Sequence, residues 1–282
     1  MSTQAPSILD EPFFAESIVK SNSLYQNKCV PSYFSKLDEV IKGFHNSNLI
    51  IIGGRPCMGC RTLALTMACK QAWENHKVAC FFMSLTESSL TDRVRRIYNA
   101  YEKPSSAPHP FFYIDYKLDT VKLRNDVERL KREENIEAVY VESVQMIGVK
   151  EPTETLRQAG CAIKELWEIS REFDIPVIAL SSISRGSVYR TGYPSPRLCD
   201  LRESSAIEVY ADVVLLIDRP EYYGLLIDEN GNSLIGVAKV EVAKNVNGQT
   251  TNVELMFDKS SVVFENREEL ADFSKYMTPK ES

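Results

Sequence analysis

The chain has 282 residues, of which 44% are hydrophobic and 26% are charged. These values are typical of globular proteins and argue against a disordered, collagen-like or membrane-embedded chain. The 33 basic and 39 acidic residues leave a net charge of −6, so any nucleic-acid binding must come from a local basic patch rather than from a basic chain.

The N-terminus predicts a short helix after Asp10. Its apolar residues would share one side of that helix: Phe13, Phe14, Ile18 and Val19. Two interpretations are open for this segment. It is either a terminus packed on its own domain or an arm that docks on a neighbouring subunit.

Short apolar runs alternate with helical segments along the chain, a pattern typical of parallel strands covered by helices on both faces. The predicted strands are 48–52, 78–83, 111–115, 138–142, 175–180 and 213–218. The predicted helices are 62–76, 88–101, 120–134 and 153–173. Two Asn-Gly pairs predict hairpin turns at 228–232 and 247–248, the second joining apolar stretches at 237–243 and 253–257. The sequence therefore predicts an α/β fold with an antiparallel extension at its C-terminal end.

The cysteines, histidines and apolar runs indicate the type of environment. Seven cysteines are an odd number in a chain too long to need disulfides, and residues 1–12 lack a basic region followed by an apolar run. The apolar runs, such as 49–52, are far shorter than the roughly 20 residues of a membrane-spanning helix. The three histidines are scattered, which disfavours a histidine metal site. We expect a reduced, cytoplasmic protein with no membrane partner and no resident metal site of its own.

The turn after the first predicted strand reads GGRPCMGCRT, with Gly54 and Gly59 spaced as in the phosphate-binding loop GxxxxGK[ST]. Cys60 stands at the lysine position and Arg61 at the hydroxyl position, so the loop lacks the usual phosphate cation and magnesium ligand. The candidate phosphate-binding residues are Gly54, Arg55, Pro56, Cys57, Met58, Gly59, Cys60 and Arg61. Alternatively, Cys57 and Cys60 form a CxxC at a helix N-terminus, a pattern typical of redox or metal sites, or simply fill a turn.

Six segments resemble, in the same order, the RecA-type motor domain of the DnaB replicative helicases. They are SKLDEVIKGFHNSNLIIIGGRPCMG (35–59), FFMSL (81–85), VYVESVQMI (139–147), IPVIALSSISRG (175–186), LCDLRESSAIEVYADVVLLIDRPEYY (198–223) and VAKNVNGQT (242–250). The resemblance implies a RecA-like P-loop NTPase core over residues 31–266, with an arm or linker at 1–30 and a tail at 267–282. We expect the helical N-terminal domain of such helicases to be absent.

The resemblance also implies ATP and Mg²⁺ as cofactors and assigns catalytic positions, most of them altered here. Glu142 replaces the aspartate that holds magnesium. Thr86 stands at the position of the water-activating glutamate, and Glu87 follows one residue later. Ser182 replaces the glutamine that senses the γ-phosphate. Lys244 matches the first basic residue that acts in trans, whereas Val246 replaces the arginine finger. We therefore expect ATP hydrolysis to be impaired or lost.

The residues implied to bind nucleic acid match the family better than the catalytic residues do. Arg202, Glu203 and Ser204 match a loop that, by resemblance, contacts the phosphates of single-stranded DNA partly through main-chain N–H groups. Nearby arginines extend this candidate basic strip: Arg185, Arg190 and Arg197. The implied partners are single-stranded DNA, further copies of the chain in a hexameric ring, and replication proteins. The alternatives are a working 5′–3′ helicase in which Arg61 and Glu87 replace the missing groups, and a CxxC redox or metal protein.

Overall fold

A computed structural model describes residues 29–149, 158–184, 193 and 195–267. The strands are β1 (Cys29–Val30), β2 (Phe44–His45), β3 (Leu49–Gly54), β4 (Val78–Phe82), β5 (Phe111–Ile114), β6 (Ala138–Val141), β7 (Val177–Ser182), β8 (Val213–Asp218), β9 (Val237–Asn245), β10 (Asn252–Asp258) and β11 (Val263–Asn266). The helices are α1 (Ser35–Ile41), α2 (Cys60–Trp73), α3 (Glu87–Ala100), α4 (Thr120–Glu134), α5 (Gln158–Glu172) and α6 (Ser204–Tyr210). Two 3₁₀ turns cover Leu198–Asp200 and Pro220–Tyr223.

Nine strands form one sheet in the order β11-β10-β9-β8-β3-β7-β6-β4-β5, and β1 pairs with β2 separately. The strands from β8 to β5 are parallel, whereas β9, β10 and β11 continue the sheet in antiparallel pairs. This is the predicted α/β architecture with its antiparallel extension. The predicted turn at 247–248 lies between β9 and β10, whereas the turn at 228–232 closes only a single bridge, Ile227 to Ser233.

The central strands are buried on both faces because helices cover the sheet from both sides. Alternate residues of β3 belong to two different cores: Ile50 and Ile52 to one, Leu49 and Ile51 to the other. Residues of α1, α2 and α3 contribute to the first core, and residues of α4, α5 and α6 to the second. Burial on both sides explains why these strands read as continuous apolar runs.

The observed elements differ from the prediction at a few ends. Strand β7 starts at Val177 rather than at 175, because Pro176 has no N–H to donate, and it continues through Ser181 and Ser182 beside the glycines of β3. Helix α2 starts at Cys60, directly after Gly59. The predicted N-terminal helix, and the part of the predicted helix at 153–173 that precedes Gln158, lie outside the described residues.

Parallel strands place their carboxyl ends at one edge of the sheet, where ligands of open α/β folds bind. The ends of β3, β4, β6, β7 and β8 therefore bring together the loop after Gly54, Ser84, Glu142, Ser182 and Asp218. Within the part of the chain that the structure describes, no helix has the length and apolar sequence needed to cross a bilayer.

Candidate nucleotide and nucleic-acid sites

The loop between β3 and α2 is shaped by its two glycines. A Cβ at Gly54 would lie 2.4 Å from the sulfur of Cys60, and a Cβ at Gly59 would lie 2.7 Å from the ring of Phe264. Gly59 also has a φ of +99°, a conformation that favours glycine. Since α2 starts at the next residue, its first-turn N–H groups lack intrahelical acceptors and face the loop end, as in phosphate-binding loops.

Two arginines tie this loop to the segment that follows β8. Arg55 donates from Nη1 to the hydroxyl of Tyr223 at 2.8 Å, and its guanidinium lies 5.4 Å from the centre of the same ring. Arg219 donates to the carbonyl of Cys57 at 3.5 Å and to Glu221 at 2.8 Å. The Arg55 side chain, a predicted phosphate ligand, is therefore held by Tyr223 in the 3₁₀ turn after β8.

The two cysteines of the CxxC have different environments. Cys57 is exposed and has a φ of +69°, whereas the sulfur of Cys60 is turned towards Gly54. Burial raises the pKa of the Cys60 thiol to about 12, and the nearby charge of Arg61 only partly opposes that effect. Both thiols are free, and no cluster of three metal-ligating side chains occurs among the described residues. A buried thiol with a raised pKa is a poor nucleophile and a poor metal ligand.

Arg61 and Glu142 form an ion pair at the centre of the candidate nucleotide site. Arg61 donates from Nε to Oε1 of Glu142, and its Nη2 atom contacts the same oxygen. The guanidinium also donates from Nη2 to the hydroxyl of Ser84 at 2.9 Å, and that hydroxyl donates to Glu142 at 2.9 Å. The Glu142 side chain is only 2% exposed, so its charge depends on these partners.

The resemblance implies a magnesium ion at Glu142, but the arrangement of Arg61 and Glu142 does not fit one. Oxygen ligands hold Mg²⁺, and the carboxylate assigned to that task already accepts hydrogen bonds from a guanidinium. Arg61 also occupies the position from which a hydroxyl would reach the ion. The fixed cation of Arg61 lies against the carboxylate that would otherwise serve the metal.

Glu87, the candidate base, is the first residue of α3. It lines a cavity of about 640 Å³ together with Leu90 of α3 and Phe112 of β5. The hydroxyl of Thr86 accepts a hydrogen bond from the Ser89 N–H at 3.3 Å and so caps the helix. The structure thus brings Glu142 and Arg61 together but does not bring Glu87 to them.

Ser182 and its neighbours form a polar bridge where the glutamine sensor would stand. Gln145 donates to the hydroxyl of Ser181 at 2.9 Å and accepts from the Ser182 N–H at 3.2 Å. Ser143, with a φ of +26°, donates to the same Gln145 oxygen at 2.9 Å. Gln145 therefore joins the ends of β6 and β7.

Lys244 has its partners within its own protomer. Its ammonium donates to the carbonyl of Glu208 at 2.8 Å and also to the carbonyl of Ala211. These carbonyls belong to the C-terminal end of α6, where a cation interacts favourably with the helix dipole. Val246, at the arginine-finger position, is 57% exposed.

The candidate DNA loop follows the carboxyl end of β7. Arg202 is exposed, and its N–H donates to the carbonyl of Ser182 at 3.1 Å, while the Ser204 N–H donates to Leu201 at 3.2 Å. Glu203 has a φ of +60° and precedes α6. Arg197 is also exposed, whereas Arg185 and Arg190 lie outside the described residues. The Arg202 and Ser204 amides thus hold the loop in shape, and the Arg202 side chain is presented to solvent.

The sequence model of the DnaB-like helicase C-terminal domain matches residues 29–103 and 89–266. The chain belongs to this family. Replicative DNA helicase DnaB of Rickettsia typhi is 29% identical over 303 residues, covering 90% of this chain and 61% of that protein. Replicative DNA helicase DnaB of Geobacillus stearothermophilus is 31% identical over 270 residues, covering 86% of this chain and 58% of that protein. The chain therefore spans about three fifths of these relatives.

Solved structures agree on the fold. A DnaB-like replicative helicase, described together with its interactions with primase, superposes with a TM-score of 0.73 at 23% identity, covering 93% of this chain and 67% of that chain. A second solved structure, of an ATPase domain, gives a TM-score of 0.72 at 22% identity, covering 93% of this chain and 99% of that chain. The RecA-like fold of the DnaB-like domain is thus retained.

Two residues of this DnaB-like domain that lie at the site, Asp218 and Ser84, were not predicted from the sequence. Asp218, the last residue of β8, accepts a hydrogen bond from the Tyr193 hydroxyl, and burial raises its pKa to about 6. An acid ending an apolar strand was the available signal. Ser84, two residues beyond β4, carried no such signal because its role depends on the placement of Arg61 and Glu142.

Proposed function

We propose that this DnaB-like domain binds single-stranded DNA and that its ATP hydrolysis is impaired or lost. The observation that carries the proposal is the ion pair between Arg61 and Glu142. It neutralises the carboxylate that the family uses for magnesium and places an arginine where a magnesium ligand would stand. The loop backbone still offers N–H groups to a phosphate, which supports weak nucleotide binding.

The other catalytic positions support the same conclusion. Glu87 lines a separate cavity, and Lys244 is held by the carbonyls at the end of its own α6. Val246 carries no charge, and an arginine finger alone contributes about 10³ to 10⁵ in rate. These positions do not favour a working motor in which Arg61 and Glu87 take over the missing roles.

The exposed Arg202 supports the nucleic-acid half of the proposal. Its side chain forms no ion pair within the described part of the chain, so its charge is available to a phosphate. Arg197 adds a second exposed guanidinium five residues earlier in the same loop region. On a chain of net charge −6, this local arrangement is what an electrostatic contact with a DNA backbone requires.

The test is a pair of measurements on the full chain. ATP turnover is measured with magnesium, with and without a single-stranded oligonucleotide, and binding of a labelled oligonucleotide is followed by fluorescence anisotropy at several salt concentrations. We expect turnover at background under both conditions and salt-sensitive binding of the oligonucleotide. DNA-stimulated turnover of several per second would contradict the loss of hydrolysis, and the absence of oligonucleotide binding would contradict the binding role.

We further propose the organisation that the resemblance implies. Residues 31–266 form the motor-like domain, residues 1–30 an arm and residues 267–282 a tail, and copies of the chain assemble into a ring on DNA with replication proteins as partners. Light scattering of the chain, alone and with an oligonucleotide, measures the mass of the assembly. A monomer under both conditions would contradict the ring without affecting the proposal on hydrolysis.

A further inference from the structure

A cavity distinct from the one beside Glu87 lies between α2 and α3, next to the candidate nucleotide loop. Its volume is about 400 Å³, within the range of small-molecule sites. Helix α2 contributes Thr62 and Leu65, and the turn before β11 contributes Val262. The remaining lining residues belong to α3: Ser88, Ser89, Asp92, Arg93, Arg96 and Ile97. The cavity is thus lined by the flank of α2 and not by the glycine loop.

The two arginines of this cavity lack protein partners. Within the described part of the chain, Arg93 and Arg96 form no ion pair and no hydrogen bond, and Nε of Arg93 is buried with no acceptor. A buried donor without an acceptor is costly, since it has lost its water without replacement. Arg93 and Arg96 both line the cavity, so an anion bound there would lie beside two arginines that are unpaired among the described residues, one of which has a buried donor without an acceptor.

The charges around the cavity do not balance. Asp92 is the acid among the described lining residues, and it already accepts a hydrogen bond from Arg95 at 3.3 Å. Burial lowers the pKa of Arg93, and the positive charge of nearby Arg61 lowers it further, while Glu142 opposes this effect. Glu142 is itself paired with Arg61. The surroundings of Arg93 are therefore short of negative charge.

We propose that the α2–α3 cavity binds a small phosphate-bearing anion without a metal ion, with Arg93 and Arg96 as its cationic ligands. The hydroxyls of Thr62, Ser88 and Ser89 supply neutral donors, and Ser88 and Ser89 lie in the first turn of a 14-residue helix whose dipole favours an anion. Guanidinium groups suit phosphate oxygens because their N–H groups form a planar fork. The site is separate from the glycine loop and does not depend on the proposed loss of hydrolysis.

The experiment is calorimetric titration of the full chain with inorganic pyrophosphate, in EDTA and in a buffer free of phosphate and sulfate. We expect saturable binding that Arg93→Gln and Arg96→Gln each weaken by about tenfold or more, since each removes a charge-assisted contact. The matched control is Arg132→Gln on α4, which removes the same charge from an exposed site and should leave the affinity unchanged. Circular dichroism checks the fold of each variant.

A third variant, expected to raise rather than lower the affinity for pyrophosphate, tests the proposal even if an arginine variant folds poorly. Asp92→Asn removes the acid from the lining and should strengthen pyrophosphate binding severalfold. A repeat with inorganic tripolyphosphate and with ATP, again without metal, shows whether the site accepts only phosphate groups or also a nucleoside. Absence of binding, or binding that none of Arg93→Gln, Arg96→Gln and Asp92→Asn alters, would overturn the proposal.

Discussion

Two loops at the same edge of the sheet carry an arginine, and they use it differently. The loop after β3 leads to Arg61, whose guanidinium turns inward to the buried Glu142. The loop after β7 carries Arg202, whose side chain is exposed while its backbone amide holds the loop to Ser182 at 3.1 Å. The difference shows that a buried carboxylate nearby determines whether an arginine side chain forms an internal ion pair or remains available to a ligand.

In the loop after β3, the backbone keeps a shape that the side chains no longer match. Gly54 and Gly59 preserve a phosphate-binding shape although the side chains around them no longer suit magnesium. Steric fit against Cys60 and Phe264 maintains both glycines whether or not a phosphate binds. A loop shape is therefore weaker evidence for catalysis than the charges that face it.

The largest effect should come from restoring the missing side chains of the loop after β3. Cys60→Lys combined with Arg61→Thr frees Glu142 and supplies both a phosphate cation and a hydroxyl. We expect the affinity for magnesium nucleotide to rise by roughly 10- to 100-fold, the effect of one or two charge-assisted hydrogen bonds. Calorimetry with and without EDTA measures the gain.

The control for that restoration is Cys60→Met with Arg61→Thr, which frees Glu142 without adding a phosphate cation. It should gain much less affinity than the lysine variant. Equal affinities of the wild-type chain and the lysine variant would mean that neither the missing lysine nor the Arg61–Glu142 pair weakens the nucleotide site.

Removal of Arg61 alone tests the inward-facing cation. Arg61→Ala leaves the Glu142 carboxylate buried with Ser84 as its remaining partner, so we expect the free energy of unfolding to fall by about 1–3 kcal/mol. Urea denaturation at neutral pH measures the change. The exposed Arg132→Ala should stay within about 0.5 kcal/mol of the wild type, and a similarly small effect of Arg61→Ala would show that the pair contributes little.

Asp218 offers a pH-dependent test beside the same loop. Burial raises its pKa from 3.8 to about 6, a shift that the Arg219 N–H and the charges of Arg55 and Lys239 only partly offset. A raised pKa means that the folded chain binds the proton more tightly, so stability falls as pH rises from about 4 through 6. We expect Asp218→Asn to remove this loss, which amounts to up to about 3 kcal/mol because each pKa unit corresponds to about 1.4 kcal/mol.

The measurement is the difference in unfolding free energy between Asp218→Asn and wild type at pH 4 and pH 8. This difference should shift in favour of the variant at pH 8. Asp115→Asn is a control of opposite sign, because hydrogen bonding to Lys122 lowers the pKa of Asp115. A pH-independent difference for Asp218→Asn would show that its carboxyl is not perturbed as inferred.

The sheet was predictable because its strands are buried on both faces. Strands β3 and β8 consist of residues that are all buried, so they read as apolar runs without any knowledge of their partners. The two-residue strands β1 and β2 are too short for any periodicity, and the four-residue β11 contains Glu265 and Asn266. Such elements exist because tertiary partners pair with them, which the local sequence does not record.

The site was predictable only in its backbone. The spacing of Gly54 and Gly59 identified the loop, and the substitutions at Cys60 and Arg61 indicated a changed chemistry. The ion pair itself joins residues 81 positions apart, so its geometry depends on the register of β3, β7, β6 and β4. For the same reason, no local pattern marked Arg93 as a lining residue of the α2–α3 cavity.

The smallest expected effect concerns the outward-facing arginine. Arg202→Gln should weaken binding of a single-stranded oligonucleotide by roughly threefold to tenfold and reduce the slope of log affinity against log salt by about one, as expected for one lost phosphate contact. Anisotropy titrations across a salt series measure both quantities, with Arg132→Gln as the control of equal charge. Because Arg202 has no buried carboxylate to serve, its replacement should leave the free energy of unfolding within about 0.5 kcal/mol of the wild type. A large loss of stability in Arg202→Gln, or an unchanged salt slope, would mean that the two arginines do not differ in the way their surroundings indicate.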